Sequence, residues 1–247
     1  MSRPVPSRRR SMRRYIPPQH GAWAMLLVPY LVGLLTAGFR WPDLPLFGAW
    51  LSGYVFSYFA FQSIKTRRPS RVRAQLLWYG LITVVLAVPV LLARPRVLFF
   101  APAYVLLLAI NGWYALRRRE RALPNDLASV VQSCLMIPVI AVIAEVPADR
   151  VFVPFLLVLL YFTGTVLYVK TMIRERGVVA YRRASVGYHL VAFAAASLTG
   201  VGSALIFVLL LARAWLLPGR PLSPKQVGLI EIGASVLVLT VAALAMP

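Results

Sequence analysis

Long apolar runs alternate along the chain with short polar clusters that are mostly basic. The runs fall near 21–39, 44–64, 74–93, 97–116, 127–144, 151–169, 184–200, 201–217 and 226–246. Each is close to the ~20 apolar residues that a helix needs to cross a hydrocarbon core of about 30 Å. Lipid offers the backbone no hydrogen bonds, so only helices and closed barrels span a membrane, and the ~10-residue alternating segments of a barrel are absent. The pattern predicts an all-α integral membrane protein, a bundle of about nine transmembrane helices. The stretch 184–217 contains one turn signal, "TGVG" at Thr199 to Gly202. A single helix of that length would run about 50 Å at 1.5 Å per residue, far more than the core, so a hairpin through the glycines is expected.

Charge placement gives a topology, because short cytoplasmic loops collect Lys and Arg. With nine spans and a cytoplasmic N-terminus, 23 of the 27 basic residues lie inside, and Arg40, Arg94, Arg96 and Arg150 remain outside. Fusing the seventh and eighth spans would move the last basic cluster, Arg213, Arg220 and Lys225, outside, so charge also favours the hairpin. The C-terminus is then external. Residues 1–18 read as a basic cytoplasmic leader and 19–247 as one transmembrane helical domain. The leader resembles the basic start of an export signal, yet the run after it lacks a small-residue cleavage site, so it is expected to stay as the first span.

Composition agrees: 60% of the 247 residues are hydrophobic and the mean hydropathy is +0.75, against roughly 45–50% apolar content in soluble domains. The net charge of +20 does not indicate nucleic acid. Every dense basic cluster abuts a span, where anionic inner-leaflet lipids attract it, and none forms a stripe on a soluble fold. The expected partners are therefore the bilayer and its anionic inner-leaflet lipids, in a plasma (inner) membrane. Cys134 is the single cysteine, which rules out an intrachain disulfide.

Candidate chemistry lies in polar residues inside the apolar runs, where each is costly and faces the bundle interior. In the nine-span topology they crowd the cytoplasmic half: His20, Asn111, Asn125, Asp126, Ser129, Gln132, Thr163, Thr165, Lys170, Ser185, Tyr188, His189 and Glu231. Helical spacing puts Asn125, Ser129 and Gln132 on one stripe, Thr163, Lys170 and Arg174 on a second, and Arg182, Ser185 and His189 on a third. Plainer roles exist for several. Asn125 is a favoured N-cap residue type, Asp126 suits a helix N-terminus, Lys170 and Arg174 suit a C-terminus, and His20 beside Trp23 fits an interfacial belt. Prolines 29, 89, 102, 138 and 154 are expected to kink their helices. His189 and Glu231, one to two turns inside, require partners.

Four blocks, "PPQHGAWAMLLVPYLVGLL", "RERALPNDLASV", "YFTGTVLYVKTMIRERG" and "YRRASVGYHL", resemble the YwiC-like family of bacterial membrane proteins and in this order span most of the chain. The family's pattern falls on Gln19 to Trp23, Asn125 and Asp126, Lys170, Thr171, Arg174 and Glu175, and Tyr188 and His189. The resemblance implies a polytopic bacterial membrane protein and brings no reaction with it.

These readings converge on a cytoplasm-facing polar site of His20, Asn125, Asp126, Lys170, Arg174, His189 and Glu231, suited to a small anionic or lipid-linked substrate. No metal site and no catalytic group stand out, and the sequence identifies no cofactor. A carrier is one alternative. Another starts from nine helices and an Asn-Asp pair similar to the UbiA prenyltransferase superfamily, whose aspartate-rich motifs hold Mg²⁺ and diphosphate. "NDLASV" has one acid, so Asp126, Glu175 and Glu231 would have to converge. A b-type haem between His20 and His189, and an assembly role without chemistry, complete the set.

Overall fold

The computed structural model describes Tyr15, Pro17 and residues 20–245, and for His20 the backbone alone. Among these residues all regular structure is helical. Helix α1, His20–Ala37, stops at Gly38, whose φ of 82° only glycine adopts easily. It is followed by α2, Asp43–Thr66, and α3, Arg73–Ala93, entered through the short 3₁₀ turn Pro69–Val72. A second 3₁₀ run, Pro95–Phe100, leads into α4, Ala101–Leu116.

The apolar run after α4 is divided into α5, Leu123–Cys134, and α6, Met136–Ala144. Pro138 explains the division, because it has no N–H for the carbonyl of Cys134 and its ring crowds that carbonyl. Pro29, Pro89 and Pro154 lie inside helices as expected, whereas Pro102 is a helix starter in the first turn of α4. Helix α7, Ala148–Val169, passes into a π-helical turn over Lys170–Arg174. Then come α8, Val179–Ser197, α9, Val201–Leu216, and α10, Pro224–Leu244, which opens with a Ser223/Gln226 capping box.

Among the described residues six stretches are long and apolar enough to cross a membrane: 43–66, 69–93, 95–116, 123–144, 148–174 and 224–244. Two shorter apolar helices accompany them over 22–37 and 201–216. The chain is a helical membrane protein. Its core is α6 with the facing sides of α1, α5 and α7. The sequence of α6, "MIPVIAVIA", is apolar all round, as befits a fully enclosed helix. Helices α3 and α4 are the periphery, turning Leu77, Leu81, Val84, Leu92, Val105 and Leu106 outward.

Between apolar helices in lipid the hydrophobic effect adds little, so close approach and polar links hold the bundle. Gly33 of α1 sits where a Cβ would lie 2.8 Å from Ile140 of α6. Ser133 of α5 donates to the Met25 carbonyl and Trp50 to that of Leu26, at 3.1 Å. At one end of the bundle the basic loops are tied together. Lys65 pairs with Glu120 at 2.7 Å, Lys170 donates to the Arg121 carbonyl at 2.5 Å, and Arg176 donates to that of Arg220. At the other end Arg94 donates to the Ile143 carbonyl at 2.9 Å and pairs with Glu145 at 3.7 Å.

The long stretch at 184–217 is broken between α8 and α9, which pack as a hairpin. Gly200 makes the turn with φ 140° and ψ 165°, a region essentially restricted to glycine. Gly200→Ala should therefore cost about 1–3 kcal/mol, read as a lower midpoint of thermal unfolding in detergent.

Candidate functional site

The polar stripe on α5 faces α4. Asn111 donates to Gln132 Oε1 at 3.2 Å, and Ser129 lies 3.5 Å from Asn111 Oδ1 and donates to the Asn125 carbonyl at 3.0 Å. Asn125 is not an N-cap: α5 begins at Leu123 with Ala122 in that position and Pro124 in its first turn. The Asn125 amide instead donates back to the Glu120 carbonyl at 2.6 Å, fixing the loop to the helix, and its Oδ1 is buried without a donor.

Asp126, one residue on, meets the π turn that ends α7. Lys170 Nζ is 2.8 Å from Asp126 Oδ2, and Arg174 Nη1 lies 3.9 Å from the same oxygen. Lys170 is 4% exposed and spends its ammonium on Asp126 and the Arg121 carbonyl, so it does not cap its own helix. A π turn inserts a residue into the helix and is frequent at functional sites. Here two cations share one carboxylate, which leaves a positive excess. Beside them lies an open depression lined by Lys65, Arg118, Arg119, Glu120 and Arg121. Burial alone would raise the Glu120 carboxyl, but the Lys65 hydrogen bond and neighbouring charges outweigh it and hold the group below its usual range.

Glu231 belongs to a different set. Its Oε1 pairs with Arg213 of α9 and its Oε2 accepts from Thr165 of α7 at 2.9 Å. Tyr161 donates to the Glu231 carbonyl at 3.1 Å and shares a 2.8 Å bond with Ser235. Tyr161, Thr165 and Tyr168 recur at i, i+4 and i+7, so they form one face of α7, while Lys170 and Arg174 sit on the far side. By the inside-charge rule Arg213 is one of the inner basic cluster with Arg220 and Lys225. A single arginine within an otherwise apolar span is itself a signal, and Glu231 is its one intramembrane counter-charge among the described residues.

His189 of α8 hydrogen-bonds the Ser185 carbonyl through Nδ1 at 2.7 Å, which makes Nδ1 the donor. Its Nε2 abuts α7, where a Cβ on Gly164 would stand 3.0 Å away. A haem plane has no space there, so His189 does not fit as an axial ligand. His20 opens α1, and its side chain lies outside the described residues, as does Gln19. Of the seven candidates, Asp126, Lys170 and Arg174 are thus brought together, with Asn125 holding the adjoining loop through Glu120, while Glu231 and His189 are placed on other sides of α7. Among the described residues no three His, Cys, Asp or Glu side chains gather as a metal site, so Asp126, Glu175 and Glu231 do not form an acidic triad.

Removing one partner of a buried pair strands the other charge. Asp126→Asn should cost about 3 kcal/mol, the low end for such pairs because Asp126 retains some water access. Asp126→Asn combined with Lys170→Met should recover most of that loss, since neither charge then remains, in thermal unfolding of the purified variants.

Comparison with known proteins agrees with this picture of the chain. Residues 16–141 match the family model described as YwiC-like protein. The "Uncharacterized protein YwiC" of Bacillus subtilis (strain 168) is 34% identical over 223 residues, covering 90% of this chain and 93% of its own. An "Uncharacterized protein" of Haemophilus influenzae (strain ATCC 51907 / DSM 11121 / KW20 / Rd) is 35% identical over 230 residues, covering 89% and 93%. No solved structure gives a significant match. On the strength of these matches the chain belongs to the YwiC-like family.

Proposed function

We propose that this is a multi-pass protein of the bacterial inner membrane that binds an anionic substrate, carrying phosphate or carboxylate, at its cytoplasmic face. In this reading it crosses the bilayer nine times, with a basic leader at 1–18 inside, one transmembrane domain over 19–247, and an external C-terminus. Support for the orientation comes from the loops. Those assigned to the inside are linked by Lys65–Glu120, Lys170–Arg121 and Arg176–Arg220, and those assigned to the outside by Arg94 with Ile143 and Glu145.

The observation that carries the substrate class is the sharing of Asp126 by Lys170 and Arg174. An arriving oxyanion neutralises the excess charge, with Arg174 offering paired N–H donors and Lys170 a compact charge. Arg174 is the more exposed, at 41% of its side chain, and is the first contact. Asn125 anchors the loop that supplies the Arg121 carbonyl. Ser133 donates to the Met25 carbonyl and so fixes α1 against α5, while His20 joins the proposed site on its sequence pattern alone. A carrier is favoured over transfer of a metal-bound diphosphate. The second ionic set, Arg213 with Glu231, lies within the helices as substrate pathways require, and the acids that would hold a metal are dispersed.

Lipid and metabolite mass spectrometry on a deletion strain tests the reading. One anionic metabolite or lipid should change in level and be restored by the wild-type gene but not by Arg174→Gln at equal membrane abundance. An unchanged profile would overturn it. Orientation is read separately by labelling cysteines introduced at the two ends, which buried Cys134 leaves without background. Both ends on one side of the membrane would refute nine spans.

A further inference from the structure

Five polar atoms on three adjacent helices are buried without hydrogen-bond partners: Tyr168 Oη on α7, Ser185 Oγ and His189 Nε2 on α8, and Nε and Nη2 of Arg213 on α9. The two on Arg213 are the most telling. Arg213 is 8% exposed, its Nη1 is engaged by Glu231, and its guanidinium lies 4.2 Å over the Tyr168 ring. Nε–H and Nη2–H are the parallel pair along one edge of the guanidinium, the edge that grips a carboxylate or phosphate with two hydrogen bonds. Glu231 does not reach that edge: its Oε1 meets Nη1 and its Oε2 accepts from Thr165 at 2.9 Å, which leaves Nε and Nη2 without a partner.

We propose that Arg213 anchors a second site, within the membrane-embedded bundle between α7, α8, α9 and α10, that binds the oxyanion of a carboxylate- or phosphate-bearing ligand. The Nε–Nη2 edge holds two ligand oxygens. The Tyr168 hydroxyl, itself buried and within electrostatic reach of Arg213, donates to the ligand. Arg213 then bridges two acidic groups, Glu231 through Nη1 and the ligand through its free edge. This site does not rest on the inner-face reading, because it uses the opposite face of α7.

The test uses full-length protein labelled with ¹⁵N-arginine in phosphatidylcholine nanodiscs, titrated with inorganic phosphate and with acetate. The Arg213 Nε–H resonance, assigned by its loss in Arg213→Lys, should move saturably with at least one of the two. In the lysine variant, which keeps the charge beside Glu231 but lacks the edge, binding should weaken at least tenfold. Tyr168→Phe, which keeps the ring, should weaken it severalfold. A resonance that moves only in nanodiscs containing phosphatidic acid supports the site and assigns the oxyanion to a lipid headgroup. If Arg213→Lys does not fold, the resonance is assigned by elimination and the wild-type titration decides. A resonance unmoved by phosphate, acetate and phosphatidic acid overturns the proposal, as does unchanged affinity in a folded Arg213→Lys.

Discussion

A charge drawn inside an apolar helix bundle is tolerable only with a counter-charge and hydrogen bonds in reach. Helix α7 and the turn that ends it impose that requirement on opposite faces. Lys170 and Arg174 need Asp126, which fixes α5 against one face, and Thr165 and Tyr161 meet Glu231, which fixes α10 against the other. Arg213 then draws α9 to the same place. The apolar core of α6 and the close α1 crossing at Gly33 supply contact, but apolar contact alone is permissive about register.

The distribution of small and polar residues makes sense on the same ground. Gly164 lies one residue from Thr165, and its missing Cβ lets the His189 ring pack directly against α7. The hairpin of α8 and α9 therefore approaches α7 twice, once through an imidazole and once through a guanidinium stacked on Tyr168. Neither approach is apolar filling.

Much of this was legible in the sequence because lipid simplifies the problem. Helices are the only economical answer to an apolar run, so their existence followed from run length, and Gly200 marked the one turn that length demanded. Polar stripes were legible too, since spacing alone puts Asn125, Ser129 and Gln132 on one face. What spacing could not supply was azimuth. Thr165 and Lys170 stand at the same end of one apolar run, yet they face different neighbours, so a shared end suggested one site where there are two sets. Arg213 reads as an inner-loop charge, because a basic residue near a helix end also satisfies the inside-charge rule. Asn125 has the residue type of a cap, but Pro124 already occupies the first turn, and the helix starts at Leu123, three residues before the start an Asn125 cap would give.

The two sets share one rigid element, which has a mechanical consequence. Leu157, Val158 and Phe162 pack α7 into the core through apolar contacts, and packed helices of this kind slide by small amounts at little cost. Hydrogen bonds and ion pairs have much narrower tolerance in distance. The register of α7 is therefore set by Asp126 on one side and Glu231 on the other, and an axial shift that lengthens one link strains the other. An anion that draws Lys170 or Arg174 away from Asp126 acts on the same helix that positions Thr165 and Tyr168 beside Arg213. Coupling between distant sites requires a shared element with different contacts in its different positions, and α7 is the element here that carries both.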